Sequence, residues 1–181
     1  VVGGFYINDN SYNKDTYKEY GRFNFKTRYR ITDRLSVGLN GNFNKGKSGS
    51  FFYWGSAESP YEANSSSANE RLRFNLDPYI NYYDKAGNRH KFLGRFYSVN
   101  NNNSDNQSNE SNNFYAEYQF QRQFEDIDLI ATAGFVAQGS YVKAELYNNA
   151  EYTSRNLAAF LQFDKKFFDK PNRVKIKQII T

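Results

Sequence analysis

Between Gly21 and Asn44 the chain alternates apolar and polar residues almost without a break, and this limits what it can fold into. Gly21, Phe23, Phe25, Thr27, Tyr29 and Ile31 share one parity, and Arg22, Asn24, Lys26, Arg28 and Arg30 share the other. Successive side chains of a strand point to opposite faces, so the segment predicts one apolar face and one charged face. Thr32, Asp33 and Arg34 then supply a short polar turn. Leu35, Val37, Leu39, Gly41 and Phe43 resume the alternation against Ser36, Gly38, Asn40, Asn42 and Asn44. Two such arms joined by a minimal turn make a β-hairpin. Both arms exceed the usual strand of about 5–6 residues and approach the roughly 9–11 that a tilted strand needs to cross a bilayer.

The remainder repeats the pattern. Val1–Ile7 reads as a strand end, followed by a polar loop at Asn8–Tyr17 and a long Ser- and Asn-rich loop at Lys45–Glu70. Further strands are expected at Arg71–Tyr83, Lys91–Val99, Phe114–Phe124, Leu129–Tyr141, Arg155–Phe163 and Val174–Ile180. Asp84–Asn88 and Glu125–Asp128 are compact turns, Asn100–Asn113 and Val142–Thr153 polar loops, and Asp164–Asn172 a turn region. Pro78 has no N–H to give a ladder and marks a bulge or local irregularity. Short turns thus alternate with long loops, the asymmetry of outer-membrane barrels. The expected fold is all-β: an antiparallel transmembrane β-barrel segment, an up-and-down meander of about eight or nine strands and part of a larger barrel.

Composition agrees. Aromatics are 19% of residues although mean hydropathy is −0.87, a pairing that suits an apolar, aromatic lipid face backed by polar lumen and loops. No apolar run approaches the ~18 residues of a membrane-spanning helix. There are no cysteines, so disulfides and thiolate metal sites are excluded. The net charge of +5 is spread along alternating strands rather than clustered, which argues against nucleic acid.

Two groups of side chains are candidate ligand contacts. Tyr53 and Trp54, within the aromatic run Phe51–Trp54, could stack on a ring-bearing ligand or serve as an interfacial aromatic girdle. Arg22, Lys26, Arg28, Arg30, Arg71 and Arg73 form basic rows on neighbouring strands, where they could attract an anionic substrate or pair with acidic residues. No metal site is expected. Asp9, Ser11, Asn13 and Asp15 have calcium-loop spacing, but Lys14 stands where Gly is required and Tyr20 where Glu is. His90 is the only histidine, expected to lack nearby carboxylate ligands. Glu117 and Asp164 are isolated carboxylates on separate strands, so no catalytic pair, and no enzyme, is expected.

Tyr29-Arg30-Ile31-Thr32-Asp33-Arg34-Leu35-Ser36-Val37-Gly38-Leu39 resembles a strand–turn–strand of TonB-dependent outer-membrane receptors. More specific is Arg155-Asn156-Leu157-Ala158-Ala159-Phe160-Leu161-Gln162-Phe163-Asp164, continued by Lys165-Lys166-Phe167-Phe168-Asp169-Lys170, and Asp77–Asn103 with its Tyr82-Tyr83-Asp84-Lys85 turn is similar too. Pro171–Thr181 departs from the family pattern. The resemblance implies that residues 1–181 are one partial barrel domain of a bacterial outer-membrane importer, with about 22 strands around a plug. It implies lipid as one partner, a small nutrient (siderophore, cobalamin or glycan) as another, and a TonB energy-coupling complex reached through an N-terminal plug part absent from this sequence. No cofactor is implied. Two other readings stand beside it: a complete eight-stranded outer-membrane barrel with a structural or adhesion role, and a soluble all-β carbohydrate-binding module using Trp54 and loop tyrosines. Free sheet edges would make the isolated segment prone to pairing and aggregation.

Overall fold

The computed structural model describes residues 1–51, 53–62, 64–166 and 173–180. Nine strands follow one another: β1 (Val2–Asn10), β2 (Tyr17–Arg30), β3 (Leu35–Phe51), β4 (Ser66–Tyr83), β5 (Arg89–Asn103), β6 (Asn109–Phe124), β7 (Leu129–Ala144), β8 (Ala150–Lys166) and β9 (Arg173–Ile180). Each pairs antiparallel with the next in a single sheet of order β1 to β9. The fold is the expected up-and-down meander. The sheet is open, since among the described residues β1 pairs only with β2 and β9 only with β8.

Local chemistry sets the tight turns. Thr32 Oγ1 accepts the N–H groups of Arg34 and Leu35 at 3.2 and 3.0 Å, mimicking a backbone turn with its side chain. At the next hairpin Asp84 accepts from the Asn88 N–H at 2.9 Å and from Asn88 Nδ2 at 2.7 Å. Gly87 there adopts φ +79°, which an L side chain resists. These hydrogen bonds hold the Asp84 carboxyl below its ordinary pKa, those from Asn88 first.

The strands are longer than their apolar cores. Lys45–Phe51, Ser66–Glu70, Asn100–Asn103, Asn109–Asn113 and Val142–Ala144, expected as loops, are paired strand. Only five residues separate β5 from β6 and β7 from β8, close to the four or five of the β2–β3, β4–β5 and β6–β7 turns at the opposite end. The expected alternation of short turns with long loops therefore holds only at the β3–β4 connection. The physical reason is lateral: a polar strand with a partner on each side satisfies its backbone whatever its propensity. Cross-strand pairs help, as in Asn101 Nδ2 donating to Asn109 Oδ1 at 2.8 Å. The Asp164–Asn172 turn is likewise shortened by β8, which continues to Lys166; residues 167–172 lie outside those described.

From β2 to β8 the register collects the mainly apolar parity of each strand on one face. Among the described residues no hydrophobic side chain is buried, and Leu157, Phe135 and Phe114 are 78, 67 and 55% exposed. A sheet normally buries one face against a second layer; here that layer is missing. Two aromatic rows border the apolar band. One runs through Phe43, Phe74, Phe96 and Phe114, with successive ring centroids 6.5, 5.4 and 4.8 Å apart. The other, at the tight-turn end, gathers Tyr82, Tyr118 and Phe120 around His90 at 5.6, 6.2 and 5.2 Å. Beyond the first row the same face turns charged, with Lys45 and Lys47 both near Glu70 at 3.4 and 3.8 Å, and Lys143 on Glu151 at 3.0 Å.

Candidate functional site

The opposite face is mainly polar from β2 to β7, although β1 sets Phe5 and Ile7 on it, and it carries two concavities. The first, about 720 Å³, spans β3 to β7. At its centre Arg95 donates through Nε and Nη2 to the two carboxylate oxygens of Asp77, at 2.7 and 2.9 Å. A two-pronged pair of this kind fixes orientation as well as charge. Asn75 Nδ2 also donates to Asp77, at 3.2 Å. Across the floor the Glu117 carboxylate accepts from the Tyr115 hydroxyl and from Gln119 Nε2. Pro78 shapes this depression. The β4–β5 ladder runs from Leu76–Phe96 to Tyr79–Leu93 and omits Asp77 and Pro78, because Pro78 has no N–H to donate.

The second concavity, about 660 Å³, lies higher on β2, β3 and β4, with Lys18, Arg22, Arg71 and Arg73 in its lining. Here three of the predicted site residues meet. Their strands are not neighbours as expected: β3 intervenes, so Arg22 lies opposite Asn44 and Asn44 opposite Arg73. At about 4.8 Å per strand spacing, Arg22 and Arg73 stand roughly 10 Å apart across the sheet. Lys26 and Arg28 share the polar face but lie lower, opposite Asn40 and Gly38; Arg30 lies lower still, 4.0 Å from Asp33.

Tyr53 and Trp54 join neither group. They follow β3 in the β3–β4 connection, 54 and 58% exposed. From Asn44, in the row of Arg22 and Arg73, seven residues lead to Phe51, about 23 Å at ~3.3 Å per residue. Backbone bonds fold this connection on itself, Gly55 N–H to Glu62 O at 3.0 Å and Asn64 N–H to Tyr53 O at 3.2 Å. Lys14 N–H donates to Tyr61 O at 3.0 Å, tying it to the β1–β2 loop. Phe52, within the same aromatic run, lies outside the described residues.

His90 sits in the apolar-face aromatic row and, contrary to expectation, has a carboxylate beside it. Its Nε2 is 3.6 Å from Asp84 Oδ2, and its Nδ1 lies 2.7 Å from the Tyr118 hydroxyl. Among the described residues no three His, Cys, Asp or Glu side chains converge.

The first concavity could have been found from sequence, because the tight Asp84–Asn88 turn sets Tyr83 opposite Arg89 and so carries Asp77 to Arg95. The second could not, since it depends on the register that the long β3–β4 connection closes. No protein-family model matches the chain, and no curated protein does.

Proposed function

We propose that this chain is part of the wall of an outer-membrane β-barrel of the TonB-dependent receptor kind, through which a scarce nutrient is imported. One observation carries the membrane part of this reading: a single-layer sheet whose apolar face has no buried hydrophobic side chain among the described residues, bounded by two aromatic rows and charged beyond one of them. Outer-membrane barrels present to lipid an apolar band about 25 Å tall between aromatic girdles. From Phe74 to Tyr82 is eight residues, about 26 Å at ~3.3 Å per residue. A water-soluble protein would cover so large an apolar surface.

Among the described residues β1 and β9 each have one unpaired side, which supports a larger barrel, because the bilayer interior tolerates no unpaired edge. Uptake rests on the resemblance at Tyr29–Leu39 and Arg155–Asp164 and on the polar wall with its two concavities. A siderophore, cobalamin or glycan would pass along that wall, driven by a TonB complex acting through a plug.

The absence of native cysteine makes a direct test simple. Single cysteines at Val37, Leu39, Asn40 and Asn42 are spin-labelled in outer membranes. Positions 37 and 39 should be open to oxygen and closed to a polar relaxant, with 40 and 42 the reverse. Equal access of the polar relaxant to all four would sink the membrane reading. Import is tested separately, by asking whether deleting the gene abolishes proton-motive-force-dependent uptake of a single nutrient class.

A further inference from the structure

We infer that the concavity of Arg22, Arg71 and Arg73 is a binding site for a compact multivalent anion bearing carboxylate or phosphoryl groups. This rests on the polar face being a water-filled wall, as proposed above, and names the chemistry that wall selects.

The two concavities differ in one respect. In the first, Arg95 is neutralised by Asp77 through both prongs of its guanidinium. In the second, Lys18, Arg22, Arg71 and Arg73 have no carboxylate partner among the described residues. Glu19 also contributes to the lining, but its carboxylate accepts from the Tyr6 hydroxyl at 3.1 Å, and Glu70 faces Lys45 and Lys47. Four positive charges therefore line one depression without an ion-pair partner among the described residues, against the single acid Glu19, and a concave wall focuses their field on whatever enters.

Geometry adds direction to charge. The Tyr20 hydroxyl donates to Asn44 Oδ1 at 2.9 Å, Asn44 Nδ2 to Asn42 Oδ1 at 3.3 Å, and Arg22 Nε to that same oxygen at 3.3 Å. On the other side Arg71 Nε donates to Asn101 Oδ1 at 3.0 Å, and Asn101 in turn to Asn109. Asparagine carbonyls thus hold the Nε edges and leave the paired terminal nitrogens for a ligand. Arg73 goes further, its Nε buried with no acceptor at all. Guanidinium groups held this way match the planar oxygens of carboxylate and phosphate, which an ammonium does not. Neutral solutes would leave the four charges unanswered. With Arg22 and Arg73 roughly 10 Å apart at the backbone, the complementary ligand carries at least two anionic groups.

The experiment is calorimetric titration of the detergent-solubilised protein with inorganic pyrophosphate and, separately, with citrate; the tighter of the two assigns phosphoryl or carboxylate chemistry. Binding should weaken as salt rises and fall at least about tenfold in Arg73→Gln and in Arg22→Gln, with Arg95→Gln unaffected. Arg73→Lys and Arg71→Lys keep the charge and remove the fork, so they should bind several-fold more weakly with an unchanged salt dependence, and they serve if the glutamine variants fail to fold. No heat at millimolar anion, or equal affinity in wild type and the Arg22→Gln/Arg71→Gln/Arg73→Gln protein, would overturn the site. Neither result bears on the oxygen-access pattern of β3, so failure of the anion site and failure of the membrane reading are distinguishable.

Discussion

The ring of Tyr79 on β4 occupies the space that a side chain at Gly38 on β3 would fill, and its hydroxyl donates to the Thr27 carbonyl on β2 at 3.5 Å. One side chain thus spans three strands on the polar face. Glycine inside a strand costs backbone entropy and offers nothing to pack, and the tyrosine supplies the missing contact from next door.

That relationship predicts strong coupling between the two positions. Gly38→Ala would drive its methyl into the ring and cost about 1–3 kcal/mol. Tyr79→Ala would uncover Gly38 and cost a similar amount through lost aromatic packing. In the double variant the methyl has nothing to meet, so a urea-unfolding cycle should show a coupling of about 0.5–3 kcal/mol. Strict additivity would mean that the ring does not rest on Gly38.

The Asp77–Arg95 pair should matter for order more than for stability. Its side chains are 21 and 59% exposed, so solvent screens much of the attraction. Removing either partner should cost about 1 kcal/mol or less. The exchanged protein, Asp77→Arg with Arg95→Asp, should recover most of that, because the two face each other across one strand pair. A swap no better than the worse single variant would show that the Asn75 contact to Asp77, rather than the ion pair, governs this spot.

How much of this was legible beforehand depends on turn length. The faces follow from parity alone, and the Thr32–Arg34 turn places Arg30 opposite Ser36, from which Arg22 opposite Asn44 follows. Meeting Arg73 requires the pairing of Phe51 with Ser66 across a connection too long to fix register by turn geometry. Asn100–Asn103 and Asn109–Asn113 looked like loop because asparagine is a poor strand former. They are strand because neighbours on both sides meet their backbones and amide pairs such as Asn101–Asn109 meet their side chains. Propensity is a property of one segment, whereas the ladder belongs to three.

On the proposed membrane reading, charge should be tolerated on one face only. Phe135 and Gln138 lie three residues apart on β7, on the apolar and polar faces respectively, and both are exposed. Phe135→Lys should cost about 2–4 kcal/mol near the bilayer centre, and Gln138→Lys close to nothing. Outer-membrane yield and thermal unfolding in detergent measure both. If the two lysines prove equivalent, the apolar face does not meet lipid.

At the far end of the sheet, the β5–β6 and β7–β8 connections clasp one another. The Ser108 N–H donates to Glu145 Oε2 at 2.9 Å, and the Glu145 N–H donates to the Ser108 carbonyl at 2.8 Å. The bond from the Ser108 N–H, with a smaller share from its side chain, holds the Glu145 carboxyl below the ordinary glutamate range. Asp105 is lowered similarly, by the Ser67 hydroxyl first and then that of Ser104, each at 2.8 Å. A folded pKa below the unfolded one adds stability at pH values above the unfolded pKa, near 4.3 for glutamate. That stability is lost as pH falls through the lower, folded value. The clasp should therefore be closed at neutral pH and open progressively below about pH 4. Hydrogen exchange at the Ser108 amide, corrected for its intrinsic acid dependence, should show protection fading across that window. In Glu145→Gln the amide keeps an acceptor that no longer titrates, so protection should be lower at neutral pH but flat. The same pH-dependent fading in Glu145→Gln would assign it to another group, with Asp105→Asn the next variant to compare.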